Sequence, residues 1–146
     1  VLTLLLVMDS YVELYKGGIV PLADFVNMPY DRDILVRVIV KKTAAHYSYK
    51  SVRISKTDFP VLTCAAALTQ EGVQAAVGAR PAKAALAKDA EQLATLPMTG
   101  EKAQAFAEYA AGLLPTETNP RGSAAYRTHL IKVLTARCLT ELGGKA

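Results

Sequence analysis

The stretch Ala44 to Asp58, Ala-Ala-His-Tyr-Ser-Tyr-Lys-Ser-Val-Arg-Ile-Ser-Lys-Thr-Asp, holds the densest group of side chains able to do chemistry. Its histidine, basic residues and acid lie close in sequence. His46, Lys50, Arg53, Lys56 and Asp58 could steer or hold an anion, or transfer protons if a closed pocket gathered them. A hydrolase or lyase built on Asp58, Lys50 and His46 would need such a pocket, which a short chain has difficulty making. Elsewhere the catalytic signatures are missing: there is no nucleophile elbow, HExxH, phosphate-binding Walker loop or GxGxxG. His129 stands beside Leu130 in a helical pattern, and with His46 it forms no ligand set. Cys64 and Cys138 lie in apolar stretches with no CxxC or Cys/His spacing, so they read as two buried thiols in a reducing compartment. No catalytic or metal-ligating residue is assigned.

The elements that must position this stretch follow from periodicity. Leu2 to Met8 reads as the end of a buried helix, too short to span a membrane and lacking a signal peptide's basic start, so a core element cut from a longer polypeptide is expected. Tyr11 to Tyr15 alternates as a half-buried strand, Gly17-Gly18 turns the chain, and Ile19 to Leu22 forms a short return strand. Ala23 to Val26 makes a turn of helix or loop, and Ile34 to Val40 a further strand. A change of pattern near residue 40 sets a boundary there. The stretch 44–58 itself resembles neither a clean helix nor a clean strand.

Val61 to Thr69 and Val73 to Ala79, joined through Gln70-Glu71-Gly72, suit a β-hairpin. Three helical patterns follow. The first has Pro81 in its opening turn and Leu86, Ala90 and Leu93 at helical spacing; the second runs from Gly100 with Ala103, Phe106, Ala110 and Leu113 on one stripe until Pro115. The third opens at Asn119-Pro120-Arg121-Gly122-Ser123 and turns Tyr126, Leu130, Leu134 and Leu142 inward before Gly143-Gly144. Strands followed by helices predict an α+β layer, a small antiparallel sheet packed against about three helices. At 146 residues one core of ordinary size is expected. The net charge of +4 is scattered, with no basic run to track a phosphate backbone, which argues against nucleic acid.

The segment Tyr49 to Thr63 resembles the opening of the C-terminal domain in FAD-binding subunits of molybdenum hydroxylases, the xanthine dehydrogenase and carbon monoxide dehydrogenase flavoprotein family. The frame is an aromatic-Lys pair, basic residues, then Asp before a strand of small apolar residues, met here by Tyr49, Lys50, Arg53, Lys56, Asp58 and Val61 to Ala67. Upstream, Leu4 to Asp9, Val12 to Leu14 and Val20 to Phe25 resemble the last hairpin of the FAD-binding domain, and Asp33 to Val40 the strand after it. Downstream, Arg121-Gly122-Ser123-Ala124-Ala125-Tyr126-Arg127 resembles the closing helix motif.

The resemblance implies residues 1–40 as the end of the FAD-binding domain and 41–146 as the flavoprotein C-terminal α+β domain. It implies FAD as cofactor, with Lys50 contacting the flavin, Leu35 lining it and Asp58 near its outer face; each has a plainer reading as a solvated lysine, a core leucine and a turn acid. Arg121, Ser123, Tyr126 and Arg127 are taken as structural, with Ser123 an N-cap. The implied role is electron transfer in a cytoplasmic oxidoreductase, from iron–sulfur clusters via FAD to NAD or another acceptor. Its partners would be the FAD-binding portion of the same subunit, an iron–sulfur subunit and a molybdopterin subunit. The glycine-rich loops that hold the FAD pyrophosphate should precede Val1, so the isolated chain is expected not to retain FAD. The alternative is a non-catalytic α+β interaction module, and the discriminating feature is whether Lys50, Leu35 and Asp58 converge on one concave surface.

Overall fold

The structure, a computed structural model, describes residues 1–30, 32–69 and 71–144. In chain order the elements are α1 (Leu2–Val7), β1 (Ser10–Leu14), β2 (Gly18–Pro21), α2 (Leu22–Phe25), β3 (Leu35–Val40), β4 (His46–Val52), β5 (Leu62–Thr69), β6 (Gly72–Gly78), β7 (Ala85–Lys88), α3 (Gly100–Leu113) and α4 (Ala124–Gly143). Two antiparallel sheets result, ordered β2-β1-β3 and β4-β5-β6-β7.

In the three-stranded sheet, β1 alternates as its sequence requires: Ser10, Val12 and Leu14 point into a cluster with Leu6, Val7, Leu22 and Val26. The four-stranded sheet is covered on both faces at its centre. Leu62, Cys64, Ala66 and Leu68 of β5, with Val73, Ala75 and Val77 of β6, face α3 and α4; Ala65, Ala67 and Ala76 face the α1 side. Burial on both faces explains why β5 reads as an unbroken apolar run, and its small residues let α1 and α4 approach from either side. The Thr3 and Thr63 hydroxyls are hydrogen-bonded at 2.9 Å across the α1 seam, and Gln74 Nε2 donates to the Val7 carbonyl at 3.1 Å.

The expected α+β class is what the structure shows, with two corrections to its elements and others to single side chains. The pattern at Pro81, Leu86, Ala90 and Leu93 is not a helix: Ala85–Lys88 pairs with β6 as the edge strand β7. The spacing misled because its apolar residues serve opposite faces, Leu86 packing on the α1 side and Leu93 on the side of α3 and α4. Beyond β7 the Asp89 carboxylate accepts the Leu93 and Ala94 N–H groups at 2.9 and 2.8 Å, a local alternative to helical bonding. Only α3 and α4 of the three expected helices form, and α1 packs against the sheet from the other side.

The second correction concerns the polar stretch, half of which is the regular edge strand β4, in register with β5 from His46↔Leu68 to Val52↔Leu62. The other expected elements form close to their predicted bounds, including the β5–β6 hairpin, whose Gln70 lies outside the described residues. Leu113, placed on the inward stripe of α3, is instead exposed, and the buried stripe there is Ala103, Phe106, Ala107, Ala110 and Ala111.

Ser123 caps α4 as expected, its Oγ accepting the Tyr126 N–H at 3.2 Å. Replacing it by Ala is expected to cost about 1 kcal/mol, measurable as a lower denaturant midpoint at unchanged slope. An unchanged midpoint would mean that water replaces the cap at no cost.

Candidate functional site

Side-chain alternation along β4 divides the polar stretch between two faces. Tyr47 turns toward the α1 side, its hydroxyl hydrogen-bonded to that of Thr43 at 2.8 Å. Ser48, Lys50 and Val52 turn toward α4. Ser48 is buried and its hydroxyl donates to Glu141 Oε2 at 2.9 Å; the Lys50 ammonium donates to the same oxygen at 2.7 Å. The bond to Glu141 is the main reason the Lys50 pKa is raised above the ordinary lysine value. The side chains of this pair are 31% and 39% exposed, so the ammonium stands at the rim of the helix–sheet seam.

Asp58 occupies the turn between β4 and β5. Its Oδ1 accepts the Phe59 N–H at 2.7 Å and lies 3.8 Å from Arg121 Nε, just before α4. Arg121 also sits over the exposed Phe59 ring at 5.2 Å. Arg53 donates to the Asp58 carbonyl, so this basic residue fastens its own loop. Leu35 opens β3 opposite Leu14 in the three-stranded sheet and is 45% exposed.

Thus Lys50 is anchored at the C-terminal end of α4, Asp58 beside its N-terminal end, and Leu35 in the other sheet. These three places lie apart, and none of the three residues lines the cavity of about 690 Å³ that runs between α1, β1 and the edge of the four-stranded sheet. Its lining includes Asp9, Tyr11, Lys41, Tyr47, Glu71 and Lys88. Lys41 donates to the Tyr11 hydroxyl at 2.8 Å and lies 3.3 Å from Asp9, contacts that raise its pKa. His46 and His129 are both exposed and on different elements. Among the described residues no group of three or more His, Cys, Asp or Glu side chains could hold a metal, and no helix is long and apolar enough to cross a membrane.

Two partners escaped the sequence reading. Glu141 lies 91 positions from Lys50, and no local pattern links a helix-end glutamate to an edge-strand lysine. Cys64 and Cys138 are free and buried, as expected, but the fold brings them to one seam, where Cys64 Sγ lies 3.5 Å from the Thr135 hydroxyl. The neighbouring Cys138 thiol, together with burial, pushes the Cys64 pKa up; Cys138 is shifted down, chiefly through the same contact.

For FAD, the donor chemistry fits only in part. A rim ammonium suits the negative charge that a flavin gains on reduction, and Lys carries three N–H donors, so its bond to Glu141 does not exhaust them. The N-termini of α3 and α4 offer the diphosphate little: their caps, Thr99 and Ser123, take up N–H groups of the first turn with their own side chains.

A four-stranded antiparallel sheet backed by two helices, with α1 on its other face and a second, three-stranded sheet, is an α+β arrangement. The chain belongs to the CO dehydrogenase flavoprotein C-terminal domain family, whose model matches residues 47–142. No match is found among the curated protein sequences. Among solved structures, the fold is similar to chains of quinoline 2-oxidoreductase from Pseudomonas putida 86 (TM-score 0.77, 21% identity), carbon monoxide dehydrogenase from Hydrogenophaga pseudoflava (0.83, 19%) and reconstituted CO dehydrogenase from Oligotropha carboxidovorans (0.77, 21%). Each match covers 99% of this chain and 56% of the other, so the chain spans little more than half the length of these proteins.

Proposed function

We propose that this chain is the C-terminal part of the FAD-binding subunit of a molybdenum hydroxylase and that it supplies one side of the flavin site. The observation that carries the reading is the family match over residues 47–142, within which Lys50 stands as a rim cation of the type the site needs. Bound FAD would supply the redox chemistry that links iron–sulfur clusters to an acceptor, which in a xanthine dehydrogenase-like enzyme is NAD. The chain's own residues hold and tune. Lys50 places positive charge by the flavin; Leu35, in the other sheet, and Asp58, at the opposite end of α4, stand apart from it and are given no flavin contact in this reading.

Residues 1–40 form the end of the FAD-binding domain in this reading, and 41–146 the C-terminal domain. The iron–sulfur and molybdopterin subunits are the partners, and two free thiols suit a cytoplasmic setting. The fold's likeness to quinoline 2-oxidoreductase and CO dehydrogenase chains supports this assignment without selecting between their chemistries.

Titrating the intact subunit and this chain with FAD, followed by flavin fluorescence, tests it. The intact subunit is expected to bind tightly and to lose about tenfold in affinity, ~1.4 kcal/mol, on Lys50→Ala, while this chain alone binds none. If the folded intact subunit ignores FAD, the reading fails and a non-catalytic interaction module takes its place.

A further inference from the structure

Two donors from one face of β4 converge on a single carboxylate oxygen of α4. Ser48 and Lys50, two residues apart and therefore on the same side of the strand, donate to Glu141 Oε2 at 2.9 and 2.7 Å. An exposed lysine–glutamate pair by itself holds little. Here the buried Ser48 hydroxyl fixes the oxygen first, and α4 is anchored against the sheet by Leu134, Cys138 and Leu142 on the turns before and after, all buried. The carboxylate is therefore a fixed point, and the flexible lysine is the partner that adapts to it.

We propose that Glu141 is the positioning counter-ion of Lys50: it seats the ammonium at the end of α4 and offsets part of the positive charge that Lys50 presents to the flavin. This rests on the assignment of Lys50 to the flavin side. A lysine held this way keeps N–H donors for a second acceptor, and the field it projects is that of a cation with an anion behind it, weaker than a lone charge. Removing the anion and removing the cation must then shift the flavin in opposite directions.

The intact FAD-loaded subunit tests this by spectroelectrochemical titration of the flavin. Lys50→Met is expected to weaken binding of reduced relative to oxidised flavin by about tenfold, a midpoint ~30 mV lower for a two-electron couple. Glu141→Gln, which keeps the shape and removes the charge, is expected to raise the midpoint, and Glu141→Asp to stay near the parent. If Lys50→Met lowers the midpoint and Glu141→Gln leaves it unchanged, the counter-ion role is overturned while the flavin reading stands. If neither variant moves it, Lys50 is not beside the flavin and both fall. Nitrogen-15 NMR titration of the Lys50 amine gives a second readout without activity: a pKa above the ordinary lysine value that drops on Glu141→Gln supports the pair. An ordinary value in the parent protein overturns it even if a variant fails to fold.

Discussion

Arg127→Met is expected to destabilise the protein by roughly 3–4 kcal/mol, seen as a lower denaturant midpoint and a melting temperature down by about 10 °C. Arg127 is 1% exposed. Its Nε donates to the Val61 carbonyl at 3.0 Å, one terminal nitrogen to the Glu117 carbonyl at 2.6 Å and to the Gly122 carbonyl, and the other to Asn119 Oδ1 at 2.6 Å. None of these acceptors is a carboxylate, so the cation is stabilised by dipoles alone, and burial pulls its pKa below the ordinary arginine range. Methionine relieves the buried charge, which offsets part of the loss; the Gly122 carbonyl and Asn119 Oδ1 keep the N–H bonds of Asn119 and Arg121, so the penalty of about 1–3 kcal/mol each falls on the Val61 and Glu117 carbonyls where water cannot replace the donor. Arg127→Lys keeps the charge, but an ammonium cannot reproduce the planar fork, so most of the loss is expected to persist. Faster amide exchange at residues 117–122 should accompany both variants. A loss below about 1 kcal/mol for Arg127→Met would show that the loop holds itself.

The same residue shows where sequence reasoning works and where it stops. The motif around Arg121 to Arg127 is legible as a helix start, and Ser123 caps it as read, because capping depends on residues three apart. The inward assignment of Tyr126 fails: Tyr126 is 45% exposed and its neighbour Arg127 takes the buried position. Ranking by hydrophobicity puts the aromatic inside and the cation outside. The loop before α4, however, turns its carbonyls inward, and buried acceptors require a donor that tyrosine at this position does not supply. That demand originates in Val61, Glu117 and Gly122, and no periodicity within α4 encodes it.

A similar boundary runs through the candidate site. The hairpin β5–β6 and the strands β1 and β3 follow from alternation and turn chemistry, which are local. The edge strand β4 was hidden because its Tyr, Ser and Lys side chains suit an edge with one solvated flank and so do not read as a buried strand. Lys50 became a candidate through family resemblance, whereas its partner Glu141 and the meeting of Cys64 with the α4 seam required the fold itself. Side-chain identity at a strand edge announces the chemistry on offer; the counter-charge that tunes it comes from whichever helix end the topology delivers.

Gly78→Ala is expected to cost roughly 2–3 kcal/mol by forcing apart the seam that joins residues 1–40 to the four-stranded sheet. A Cβ at this position would stand 2.5 Å from Thr3 Oγ1 and 2.8 Å from Thr63 Oγ1, closer than real Cβ contacts come. Neither hydroxyl can retreat easily. Both belong to buried, β-branched side chains hydrogen-bonded to one another at 2.9 Å, and stiffness at χ1 leaves few rotamers to absorb the intrusion. The strain therefore passes to α1, which packs on β5 and β6 through the same alanine-lined face. A double-mutant cycle separates this clash from any intrinsic effect of alanine in β6. Thr3→Ala costs stability on its own by losing a buried hydrogen bond, but it vacates the nearer contact, so Gly78→Ala added to it should cost at least about 1 kcal/mol less than in the parent. Additive losses would mean that the seam yields without strain and that α1 is a loose cover; the expected coupling would identify it as a fixed wall on the second face of the four-stranded sheet.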